Sequence, residues 1–132
     1  MFVEAVRSYI EIQPADETDW LSGLRDPAVS QALALIHTQP QRDWSAEKLA
    51  QAVNLSRSTF ADRFTNVIGQ PPMRYLTAWR MQTAAHKLRE TRRTIAQISF
   101  DVGYESEAAF TRAFRRAFGQ PPATWRRQAA KG

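Results

Sequence analysis

The side chains of this 132-residue chain best equipped for chemistry are its arginines. Residues 1–40 hold two basic residues, Arg7 and Arg25, against six acidic ones, a net charge of −4. Residues 41–132 hold sixteen basic residues against seven acidic ones, a net of +9. Within that segment every cation except Lys48, Lys87 and Lys131 is arginine. A guanidinium presents a planar fork of donors that matches phosphate oxygens and the guanine edge better than a lysine ammonium does. Charge concentrated on one segment in this form points to a polyanionic partner, with a merely solvated basic surface as the plainer reading. Other chemistries lack their residues. With no cysteine there is neither a disulfide nor a thiolate metal site. His37 and His86 stand alone and far apart, outside any HExxH pattern, so no metal is expected. No glycine-rich phosphate loop, Gly-x-Ser-x-Gly elbow or catalytic carboxylate pair appears, so neither an enzyme nor a cofactor is expected. Asp16, Glu17 and Asp19 fall in a linker-like stretch and read as solvated. No apolar run approaches the ~20 residues of a membrane span, and no signal segment opens the chain. The expected location is the cytoplasm, at the nucleoid.

The elements that must carry these arginines announce themselves by repetition. "IGQPP" at Ile68–Pro72 returns as "FGQPP" at Phe118–Pro122. Each copy follows a Phe-x-x-x-Phe pair, Phe60/Phe64 and then Phe110/Phe114. Each precedes an aromatic three residues past its second proline, Tyr75 and Trp125. Such self-similarity marks one structural unit used twice. Apolar residues recur at helical spacing almost everywhere, which predicts an all-α protein. "FVEAVRSYIE" reads as a short N-terminal helix. Asp26 as N-cap and Pro27 at the first helical position open a second. Ser45 and Ser56 cap the helices of the first unit, and Thr94 with Gln97 (a capping box) and Ser106 cap those of the second. Gly69 and Gly119 end the later helix of each unit. The prolines then restart the chain: Pro72 opens a joining helix over 72–90, and Pro122 a last helix. The units align residue by residue. Leu49, Ala50 and Val53 match Ile98, Ser99 and Val102; Asn54 matches Gly103; the second turn is one residue longer. A short helix, a turn suited to positive φ and a capped second helix make a helix-turn-helix. Two are expected, over about 45–69 and 94–119.

In such a unit the second helix enters the DNA major groove. The first reader would bury Phe60, Phe64, Val67 and Ile68 and present Arg57, Ser58, Ala61, Asp62 and Thr65. The second would bury Phe110, Phe114 and Phe118 and present Glu107, Ala108, Thr111, Arg112 and Arg115. The joining helix at 1.5 Å per residue is about 28 Å long, close to the ~34 Å between successive major-groove faces on one side of B-DNA. Trp20, Trp44, Trp79 and Trp125 read as packing anchors, and Arg80, beside Trp79, as a phosphate contact.

"IAQISFDVGYESEAAFTRAFRRAFGQPPATWRR" resembles the second helix-turn-helix signature of the AraC/XylS family of bacterial transcription regulators, and "LAQAVNLSRSTFADRFTNVIGQPPMRYLTAWRM" resembles its first. The resemblance covers about Asp26 to Gln128. It implies a seven-helix DNA-binding domain over 26–132. Base contacts would come from Arg57, Ser58, Thr59 and Asp62 in the first reader and from Glu107, Ala108, Thr111 and Arg112 in the second. Arg63, Arg80, Arg115 and Arg116 complete the expected DNA-contacting set. Arg112 falls where the family often has a reading arginine. At the equivalent place in the first unit stands Asp62, which would either accept from cytosine N4 or pair with a neighbouring Arg. Pro71 and Pro121 replace the Ser or Thr that often caps the following helix in the family. Residues 1–25 look like the end of a cupin-type sensor whose barrel is absent, either by truncation or in a short gene product. The implied partners are double-stranded operator DNA and RNA polymerase, with any small-molecule effector acting through that sensor. The alternative is a protein-interaction module that docks RNA polymerase or another regulator without reading DNA.

Overall fold

The computed structural model describes residues 26–131; the expected "FVEAVRSYIE" helix, Trp20 and the sensor remnant over 1–25 lie outside the described residues. Seven helices follow one another, with no strand among the described residues: α1 Pro27–Thr38, α2 Ala46–Ala52, α3 Arg57–Ile68, α4 Pro72–Glu90, α5 Ile95–Asp101, α6 Glu107–Phe118 and α7 Pro122–Lys131.

Their starts are written in side chains. Asp26 Oδ1 accepts from the N–H groups of Ala28 and Val29, where α1 has no intrahelical acceptor for them. Ser45, Ser56 and Ser106 accept from the N–H three residues on, at Lys48, Thr59 and Ala109. Thr94 and Gln97 close the expected capping box, each side chain bonding the other's backbone. At the N-terminus of α4, Pro71 offers no side-chain cap, as expected from its replacing a hydroxyl residue. Gly69 (φ 92°) and Gly119 (φ 79°) turn left-handed, and each donates its N–H to the carbonyl four residues back.

The two helix-turn-helix units share the same turn. Leu55 N–H bonds Ala50 O and Tyr104 N–H bonds Ser99 O, both at 2.9 Å. Asn54 (φ 61°) and Gly103 (φ 96°) occupy the matching left-handed position. Glu105 is the extra residue before the second cap.

Two separate cores result. The first gathers Val29, Ala32, Leu33, Ile36, Trp44, Leu49, Ala50, Val53, Phe60, Phe64 and Leu76. The second gathers Met81, Ala84, Ala85, Leu88, Ile98, Val102, Phe110, Ala113 and Phe114. Helix α4 serves both. At about 100° per residue, Tyr75, Leu76 and Trp79 share one face of α4, while Met81, Ala84, Ala85 and Leu88 share a face turned about 180° from it. The apolar residues of α4 therefore form two stripes, one per unit: Tyr75, Leu76 and Trp79 face the first core, and Met81, Ala84, Ala85 and Leu88 the second. The corner aromatics fold back onto their units. Tyr75 meets Phe64 edge-on at 5.8 Å, and Trp125 meets Phe114 edge-on at 5.9 Å.

Candidate nucleic-acid interface

The reading faces form where each capped helix turns its phenylalanines inward. In α3, Phe60 and Phe64 are fully buried, and their rings lie 5.7 Å apart. That orientation leaves Arg57, Ser58, Thr59 and Asp62 exposed, with Ala61 and Thr65 half-buried. In α6, Phe110 and Phe114 are fully buried, again 5.7 Å apart. Glu107, Ala108, Arg112, Arg115 and Arg116 are exposed on its other side, and Thr111 is half-buried. Phe118 is half-buried rather than fully so, while Ala113, unremarked in the sequence, closes the core. The exposed residues of each helix's first turn are short, apart from Arg57 and Glu107, so the backbone can approach a groove closely. Arg115 and Arg116, in the last turn of α6, also oppose the negative end of its dipole.

Two expected DNA contacts are differently engaged. Arg63 forms a forked pair with Asp26: Nη2 donates to Oδ1 at 2.7 Å and Nε to Oδ2 at 3.1 Å. It ties α3 to the start of α1. One step before Phe64 and three after Phe60, position 63 borders the buried face, a signal the sequence contained. Arg80 is the second. It is half-buried; its Nε donates to Pro40 O at 2.9 Å and its Nη2 to Arg42 O at 2.8 Å. Its Cζ lies 5.7 Å from the centre of the Tyr104 ring. Two of its nitrogens are thus committed to backbone carbonyls, and its charge faces a ring of the second unit.

Local electrostatics follow from burial. Burial pushes the Asp26 carboxyl up, but the Arg63 hydrogen bond and charge and the Val29 and Ala28 N–H groups outweigh it and hold the group below its ordinary value. Burial lowers His37, whose ring lies tilted against Trp79 at 4.4 Å and shares a 2.6 Å hydrogen bond with Tyr75. Burial raises Tyr104, opposed by the charges of Arg80 and Arg116. Among the described residues, no cluster of His, Cys, Asp or Glu suits a metal ion, and no helix is long and apolar enough to cross a membrane.

Comparison with known proteins agrees with this geometry. A helix-turn-helix domain family model matches residues 49–128. An AraC-like transcription regulator of Streptomyces lividans is 44% identical over 127 residues, which are 96% of this chain. The chain spans 42% of that relative's length. Among solved structures, the C-terminal domain of AraT, a response regulator from Geobacillus stearothermophilus, superposes with a TM-score of 0.75 at 31% identity, over 77% of this chain and 85% of that one. The DNA-binding domain of AdpA, a global transcriptional factor solved in complex with a target DNA, superposes with a TM-score of 0.72 at 26% identity, over 75% and 89%.

Proposed function

Since this chain belongs to the AraC-type helix-turn-helix family, we propose that residues 26–132 form the DNA-binding unit of a transcription regulator that reads two successive major-groove segments. Helices α3 and α6 each enter one segment, and α4 sets the distance between them. One observation carries the reading: the same capped turn and reader helix occurs twice, each with its aromatic side buried and its short polar side exposed. Arg112 supplies the guanine-reading fork, with Glu107, Ala108 and Thr111 beside it. Arg57, Ser58, Thr59 and Asp62 read the first segment, where Arg63's commitment to Asp26 leaves the Asp62 carboxylate to accept from cytosine N4. Arg115 and Arg116 contact phosphate. The protein works in the cytoplasm, at the nucleoid, and any small-molecule effector acts through a sensor domain.

RNA polymerase docking is a second reading, favoured by Phe100, a large apolar side chain on α5 that is 57% exposed. The two readings separate by salt. A phosphate-driven complex loses affinity linearly in log–log terms, with a slope of about −0.9 per phosphate neutralised. Docking on an apolar side chain does not. Selection of bound sites from random duplex DNA by the 132-residue chain tests the proposal. Enrichment of two short blocks, their centres about 10 bp apart as successive groove faces require, supports it. Failure to enrich any sequence overturns it.

A further inference from the structure

Nothing in a helix-turn-helix repeat requires its two units to touch, yet here they meet around Arg80. On α4, Arg80 projects about 90° from each of the two buried faces, along the seam between the units. Its fork reaches back to Pro40 O and Arg42 O in the loop between α1 and α2. That loop is itself fixed to the first core. Trp44 is buried there and donates from Nε1 to Gln39 O at 2.9 Å, and Arg42 lies over the Trp44 ring at 4.4 Å. On the other side the same guanidinium faces Tyr104, whose ring packs edge-on against buried Phe110 at 5.8 Å. Between them sits Gly103. A Cβ at Gly103 would lie 2.9 Å from Arg80 Nη2 and 2.9 Å from Pro40 O. The turn of the second unit and the loop of the first therefore approach as closely as a bare backbone allows, with Arg80 bonded between them. Carbonyl acceptors add geometry here: two donors of one rigid plane on two oxygens of a short loop define an orientation, whereas one lysine ammonium would define only a distance.

We propose that Arg80 is a positioning residue that locks the two helix-turn-helix units in one mutual arrangement and so fixes the number of base pairs between the two DNA segments the chain reads. Without it the units would be joined only by α4, whose opposite faces they grip, and by the unbonded approach of Gly103 to Pro40 O, and bending or twisting of α4 would change the distance between readers. The spacing part rests on the DNA-reading proposal above; the locking part does not.

Both parts are tested with the full chain. The chain has no cysteine, so exposed Asn66 on α3 and Ala117 on α6 are replaced by Cys and spin-labelled, and the inter-label distance distribution is measured without DNA. Arg80→Gln should broaden a narrow distribution, and Arg80→Lys should restore it in part. The selected duplex is then compared with versions carrying one or two base pairs inserted between its blocks. Wild type should discriminate against the insertions. Arg80→Gln should lose about tenfold or more of that discrimination, a fraction of the 10²–10⁴ that rigid coupling of two contacts contributes, while its affinity for a duplex holding a single block stays as in wild type. Should Arg80→Gln fail to fold, as judged by helical circular dichroism, Tyr104→Leu removes the ring beneath the guanidinium from the other side and is expected to give the same two results. A folded variant with an unchanged distance distribution would overturn the lock. A broadened distribution with unchanged spacing discrimination would overturn the link to DNA. A wild type that binds no selected duplex would refute the DNA reading, while the label distances would still decide the lock.

Discussion

Replacing Phe114 by Ala should cost the second unit much of its stability. Phe114 is fully buried and meets three aromatic rings: Phe110 at 5.7 Å, Phe118 at 4.5 Å and Trp125 at 5.9 Å. Truncating a buried Phe to Ala typically costs about 3–5 kcal/mol. Each favourable aromatic pair adds about 0.5–1.5 kcal/mol beyond burial, so the upper half of the range, about 4–5 kcal/mol, is expected here. That approaches the whole stability of a small domain, roughly 5–15 kcal/mol. Denaturant unfolding followed by circular dichroism measures the loss, and a thermal scan should show Tm falling by about 15 °C or more at 4 °C or more per kcal/mol. Because the two cores share no buried residue, the first should outlast the second, and the variant's transition should split into two. Fluorescence assigns the phases, since Trp44 reports on the first core and Trp125 on the second. A loss below about 1 kcal/mol would refute the orientation of α6, and with it the exposure of Arg112 on the opposite face. A single, uniformly shifted transition would refute the independence of the cores.

Three further outcomes are expected. Arg112→Ala should weaken specific binding by about 1–3 kcal/mol and relax preference at one or two base pairs; an equal loss on specific and random duplexes, measured by fluorescence anisotropy, would make Arg112 a phosphate contact instead. Asp26→Ala removes both the cap of α1 and the partner of Arg63, and should cost more than the roughly 0.5–2 kcal/mol of a cap alone, while Asp26→Asn, an equally good cap, should cost less than the alanine variant; equal losses in chemical denaturation would deny the ion pair any weight. His37 is lowered by burial, so the unfolded chain takes up its proton first as pH falls. The stability His37 contributes is therefore complete above its unfolded pKa of about 6.5 and is lost as pH falls from there toward the lowered folded value; Tm measured between pH 5 and 7.5 should slope less in His37→Phe than in wild type.

What was legible in the sequence was whatever the chain states locally. Caps at Asp26, Ser45, Ser56, Thr94 and Ser106 join a side chain to a backbone group within three residues, and the stops at Gly69 and Gly119 join a left-handed glycine to a carbonyl four residues back, so local sequence alone located them. The repeat did the rest, because two copies of one turn constrain each other: the extra residue, Glu105, showed as a change of offset. Helix α4 was harder. Its two apolar faces serve different neighbours, and summed around one helix they blur into a weak single stripe, which hid Met81 and Ala85. The arginines were harder still. Arg63 finds its carboxylate 37 residues away, and Arg80 bonds carbonyls 40 and 38 residues away. A backbone carbonyl has no residue type to betray it, so an arginine that joins two units reads the same in sequence as one that waits for phosphate. The exposed set of Arg57, Arg112, Arg115 and Arg116, by contrast, followed from the phenylalanine spacing that turns each reader helix inward.

Hydroxyl-radical footprinting of the 132-residue chain on its selected duplex tests the two-groove reading most directly. One chain per duplex should protect two segments on the same face of the helix, about one turn (roughly 34 Å) apart, with a steep log–log salt dependence from the phosphates both units neutralise. Protection confined to a single segment, or two segments only when two chains are bound, would contradict it.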